Sequence, residues 1–131
     1  MPERSRDWIK QAEKDLRHAK HSIESRDYEW CCFAAQQAAE KAVKAVCQKN
    51  HMDAWGHTVS ILLSELKEHH TIKVPDTIID GAKILDKHYI PARYPNGFEN
   101  GAPFDFYTKN EAEEAVRIAE QIIEYCKSNI A

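Results

Sequence analysis

Cys32, Ala35, Ala39, Ala42, Val43 and Val46 recur at three- and four-residue steps, so a helix over about 28–49 would present one side made almost wholly of small residues. Such a side lets a neighbouring helix come unusually close. The stretch before it, about 5–24, repeats Trp8, Ala12, Leu16, Ala19 and Ile23 at the same steps, and Arg26-Asp27 between the two reads as a short turn. The pair is expected to form a tight antiparallel hairpin.

The remaining helices follow from caps and stops. Asn50, Asp53 and Gly56 mark residues 50–57 as a loop, after which Thr58 can cap a third helix to about residue 68, with Val59, Leu62, Leu63 and Leu66 inward. Pro75 suits the first turn of a fourth helix, whose stripe is Ile78, Ile79, Ala82, Leu85 and Tyr89 and which Pro91 stops. Residues 90–107 hold three prolines, two glycines and five aromatics, too apolar for a free linker, and are expected to fold back over the helices. Thr108-Lys-Asn-Glu111 is a capping box that opens the last helix, with Ala112, Ala115, Val116, Ala119, Ile122, Ile123 and Cys126 buried. The predicted fold is all-α: an up-and-down bundle of about five helices with an irregular Pro/aromatic-rich loop before the last, in one domain spanning 1–131.

Composition narrows the class. Nine Gly and Pro residues and 30% charged residues fit a helical protein rather than a sandwich or a disordered chain. No apolar run reaches a membrane span, and Met1–Arg6 does not read as a signal peptide, so a cytoplasmic location is expected. The four cysteines lack metal or redox spacing and are expected to pack as small hydrophobes. A net charge of −3 argues against a DNA-coating role. The charge is uneven, however: residues 1–50 carry ten basic and eight acidic groups, and residues 51–131 eight basic and thirteen acidic, so a local basic patch stays open.

The segment from Asp86 to Pro95 crowds an arginine, two tyrosines and two prolines into a helix exit, and binding groups tend to sit on such loops. Arg93 can fork two hydrogen bonds to a phosphate or a carboxylate; the alternative is a structural ion pair with Asp86. Tyr89 reads as a core aromatic with its hydroxyl bonded, or as part of the same face. Tyr94 can stack on a base or cover the core. His57, after Gly56, can titrate, cap the third helix or bond within the core. Lys41 and Lys44 lie one turn apart, as a phosphate patch or a solvated face. Gln36 and Gln37 are candidates to pair across a helix or dimer seam. Whether Phe98, Phe104 and Phe106 face core or interface stays open.

Three segments together carry a resemblance: Cys32-Phe-Ala-Ala-Gln-Gln-Ala-Ala-Glu-Lys-Ala42, Gly56-His57, and Asp86-x-x-Tyr89-Ile-Pro-Ala-Arg-Tyr-Pro95. The chain resembles the HEPN (higher eukaryotes and prokaryotes nucleotide-binding) domains over nearly its whole length. That resemblance implies a helical bundle that homodimerises and commonly stands beside a small nucleotidyltransferase in a toxin–antitoxin-like pair. It also implies, for members with four to six residues between an arginine and a following histidine, metal-independent ribonuclease activity built from both protomers. Here the positions after Arg93 at those spacings are Phe98, Glu99 and Asn100. Arg17 and His21 are one residue short of the motif and on another helix.

No catalytic residue is therefore assigned, and Arg93, Tyr94, Asp86, Tyr89, His57, Lys41 and Lys44 are taken as ligand-binding or interface candidates. General acid–base cleavage would need a displaced histidine, such as His88 or His57, in the same cleft. His18, His21 and Glu24 share a helix face but lack the three-ligand set of a catalytic zinc site; no metal or cofactor is expected. The expected function is a non-catalytic or weakly catalytic dimeric partner of a nucleotidyltransferase that binds nucleotide or RNA. The alternatives are a ribonuclease with a displaced histidine and a stand-alone nucleotide-binding module.

Overall fold

The structure is a computed structural model that describes residues 3–70 and 72–131; the first two residues of the Met1–Arg6 stretch lie outside it. The described residues form helices α1 (Ser5–Glu24), α2 (Tyr28–Lys49), α3 (Val59–His69), α4 (Asp76–Asp86), α5 (Pro103–Phe106) and α6 (Lys109–Ser128), with a 3₁₀ turn at Pro95–Gly97 and no strand. The fold is all-α, as the periodicity predicts. The additional element is α5, a single turn within the proline-rich segment, whose Asp105 accepts the Ala102 amide proton.

α2 is the central helix, packed against α1, α3, α4, α5 and α6. Its small stripe is fully buried: Cys32, Ala35, Ala39, Ala42, Val43 and Val46 are all at 0% exposure. α1 lies along it through Ile9, Ala12 and Ala19. α6 closes the bundle with Ala112, Ala115, Ala119, Ile122, Ile123 and Cys126, and opens on the predicted capping box, Thr108 Oγ1 accepting from the Glu111 amide and Glu111 accepting from the Thr108 amide. α4 approaches α6 closely because Gly81 has no side chain: a Cβ there would sit 2.9 Å from Ile118 Cγ2. The four cysteines are buried and unpaired with one another, and burial pushes the Cys31 and Cys47 thiols up to about 12, so both stay protonated packing groups.

Two local expectations change. Thr58 occupies the N-cap position of α3 without donating or accepting a side-chain cap bond; the cap comes from Asp86, the last residue of α4. The Asp86 carboxylate accepts the Val59 amide at 2.7 Å, the Ser60 amide at 3.3 Å and the Ser60 hydroxyl at 2.5 Å. α4 also ends at Asp86, so Tyr89 leaves the helical stripe and enters a run of turns. There its half-buried ring meets Phe33, His57 and Arg93.

His88 anchors this exit. It is buried, with Nδ1 3.0 Å from the Tyr107 hydroxyl. Burial lowers its pKa below the ordinary 6.5, against the opposing pull of Glu111 and Glu114 and with help from Lys87. A base whose folded pKa is depressed contributes stability above the unfolded value, and that contribution is lost as pH falls through the folded value. Urea denaturation is therefore expected to show stability declining as pH drops below about 6.5. The decline should be smaller in His88→Gln; an equal decline would show that another group sets it.

Candidate functional site

One face of the bundle gathers most of the candidates. Arg93 leaves the α4 exit and lays its guanidinium over three rings: the central carbon is 4.2 Å from the Phe33 centroid, 4.8 Å from Tyr89 and 5.1 Å from Tyr94. Its Nε donates to the Tyr89 carbonyl at 2.9 Å. Rings at these distances attract a cation through their quadrupole and fix the guanidinium plane. The anticipated Arg93–Asp86 ion pair does not form, because Asp86 is consumed by the α3 amides. Among the described residues no carboxylate lies within salt-bridge distance of Arg93, and its two terminal nitrogens have no hydrogen-bond partner.

Tyr89 is the hinge of the arrangement. Its ring takes Arg93 and is also stacked against His57, at 4.8 Å and 17°. Its value is the ring, whereas the sequence pointed to a bonded core hydroxyl. His57 Nδ1 lies 3.0 Å from Glu40 Oε2, and the His57 side chain is half exposed. A carboxylate beside Nδ1 favours the tautomer that carries its proton on that nitrogen.

Glu40 is the residue that sequence reasoning missed. It is 5% exposed and also takes Lys44 Nζ at 3.0 Å and Gln36 Nε2 at 3.2 Å. Burial raises its pKa, but the bonds from His57, Lys44 and Gln36 outweigh burial and hold the carboxyl below its ordinary value, so it is ionised near neutrality. A signal was present: Gln36, Glu40 and Lys44 recur every four residues on a helix otherwise lined with alanine. Phe33 likewise has no sequence signal beyond its place in the Cys32–Ala42 run, yet of the three rings it is the nearest to the Arg93 guanidinium.

The lysines do not make a free phosphate patch. Lys44 is bound to Glu40, and Lys41 is paired with Asp15 of α1 at 2.5 Å. Gln36 is fully buried and reaches from α2 to the segment before α3: it donates to Glu40 and to the His57 carbonyl, while accepting from Gln37. Between α1 and α2, Asp15, His18, Trp30, Phe33, Gln37 and Lys41 line a groove of about 260 Å³, continuous with the Arg93 stack through Phe33. His21 and Glu24 are exposed. Phe98 stacks on Phe106 at 4.7 Å, and Phe104 and Phe106 are 67% and 47% exposed, so these rings lie at the surface and not in the core.

The site therefore offers an unpaired guanidinium in a fixed plane, exposed ring faces, and a carboxylate-held imidazole one ring away. No helix of the described residues is long and apolar enough to cross a membrane.

Comparison with known proteins agrees with this architecture. A protein of Methanocaldococcus jannaschii named "Putative toxin MJ1304" is 33% identical over 129 residues, covering 92% of this chain and 84% of that one. The crystal structure of TT1696 from Thermus thermophilus superposes with a TM-score of 0.93 at 44% identity, over 98% of this chain and 99% of that one. ST0689, described as an archaeal HEPN homologue, gives 0.84 at 40% identity over the whole of both chains. The HEPN domain model matches residues 5–129, and the chain belongs to the HEPN domain family.

Proposed function

We propose that this chain is the HEPN component of a toxin–antitoxin-like pair, a homodimer that binds a nucleotide or RNA through the Arg93 face and serves a small nucleotidyltransferase. The supporting observation is Arg93 itself: a half-buried guanidinium, stacked on three rings and matched by no carboxylate among the described residues, in a chain of net charge −3. The rings hold the guanidinium in place by cation–π attraction while its terminal N–H groups are left to donate to an anion. Tyr94, 49% exposed, and Trp30, 48% exposed, offer faces for a base. A two-fold axis near this face would bring two such arginines to one anionic ligand. The toxin name of the Methanocaldococcus relative supports the pairing with a neutralising partner.

The test is affinity capture of tagged protein from its native cells with mass spectrometry, alongside calorimetry of purified protein with nucleoside mono- and triphosphates. Recovery of a nucleotidyltransferase and saturable nucleotide binding are expected. Self-association alone, with no heat at millimolar nucleotide, sinks the reading.

The Glu40–His57 pair favours a second reading, RNA cleavage without metal. An imidazole oriented by an ionised carboxylate is the usual form of a general base, and His57 shares Tyr89 with the arginine that would hold the phosphate. Incubation of RNA with purified protein and chelator decides it. Cleavage abolished in His57→Ala and reduced in Glu40→Gln would establish this reading; an inert wild type removes it.

A further inference from the structure

The outward face of α1 carries charge that the site above does not use. At 100° per residue, Arg6, Lys10, Lys14, Arg17 and His21 fall within one narrow stripe, opposite the buried Ala12 and Ala19. All five are exposed. The carboxylates beside them are engaged elsewhere: Asp7 with Arg4 at 3.0 Å, Glu13 with Lys127 at 3.3 Å, and Asp15 with Lys41 at 2.5 Å. Lys20, to the side, is taken by Glu120 at 3.8 Å. Among the described residues, Arg6, Lys10, Lys14 and Arg17 have no ion-pair partner, and Glu24 limits the stripe at its C-terminal end.

We propose that this stripe is a track for the phosphate backbone of a single-stranded polynucleotide that continues into the Trp30–Arg93 face. From Arg6 to Arg17 the track is about 16 Å long at 1.5 Å per residue. One edge borders the α1–α2 groove, where His18 and Lys41 stand beside the Trp30 and Phe33 rings, and Phe33 leads to Arg93. Basic groups along a backbone path with aromatic faces at its end are the arrangement by which single strands are held without sequence readout. The net charge of −3 does not oppose it, since charges beyond about 10 Å are screened at 0.1 M salt and the stripe acts locally. An anionic membrane fits less well: the apolar side of α1 is packed in the core, which leaves the stripe no apolar anchor. The inference deepens the proposed function by naming a polymer rather than a mononucleotide as ligand, and it rests on that reading only for where the track ends.

The test is fluorescence anisotropy of labelled 20-mer oligouridylate and oligothymidylate with the whole chain between 50 and 200 mM salt. Four engaged cations give a log–log salt slope of about −3 for a single strand. Lys10→Gln/Lys14→Gln/Arg17→Gln should make it shallower by about 2 and weaken binding at least tenfold, with an unchanged melting temperature because all three are exposed. Equal slopes for the two oligomers support a backbone track shared by RNA and DNA; a steeper slope for oligouridylate supports it for RNA. An unchanged slope in the triple variant overturns the track, as does binding only to duplex or only to phosphatidylserine vesicles. Arg93→Ala separates the two readings: affinity loss there with an unaltered triple variant would leave the Arg93 face and remove the track.

Discussion

Asp86→Ala is expected to lower stability by about 2–3 kcal/mol, since one carboxylate accepts three hydrogen bonds at the start of α3 and its loss strands two amides at once. For a chain of this length that corresponds to a fall in melting temperature of about 10 °C. Asp86→Asn keeps an acceptor but loses the negative charge that favours a helix N-terminus, and should cost about 1 kcal/mol. The consequence extends to the site. α3 starts two residues after His57, and the same carboxylate ties α4, whose exit carries Tyr89, to that start. Loosening it should separate His57 from the Tyr89 ring. Calorimetric melting measures the first effect, and a wild-type melting temperature in Asp86→Ala would show that Thr58 takes over the cap.

Asp86 also marks where the sequence ceased to be legible. The helices were readable because each is specified within its own turns: the alanine seam of α2 by 3.6-residue recurrence, and α6 by a threonine and a glutamate three residues apart. The cap of α3 is not local. Thr58 had the right chemistry at the right position, yet Asp86 fills the role across the packing of two helices. The same holds for Lys41, which looked like half of a patch with Lys44 until folding set Asp15 of α1 against it. Arg93 and Asp86 seemed natural partners by charge; competition from the Val59 and Ser60 amides separated them. Glu40 was hidden for the opposite reason. In an alanine-rich run a glutamate reads as a solvated helix former, and only the fold, which buries it and sets His57 against it, reveals it as the group holding His57.

Arg93→Ala is expected to reduce affinity for nucleotide or single-stranded RNA at least tenfold, because charge-assisted hydrogen bonds to an anion are worth about 1.5–3 kcal/mol. Calorimetry or anisotropy reads that loss directly. The informative companion is Arg93→Lys. A lysine restores the charge but neither the planar fork nor the stack on Phe33, Tyr89 and Tyr94, so it should recover only part of the affinity. Full recovery would mean that Arg93 acts as a point charge and that the rings serve packing alone. Unchanged binding in Arg93→Ala would move the anion site elsewhere, since among the described residues no other lysine or arginine on this face is unpaired: Lys44 is neutralised by Glu40 and Lys41 by Asp15. Those two ion pairs leave Arg93 as the one permanent positive charge of this face with donors to spare among the described residues, so its removal tests the site as a whole.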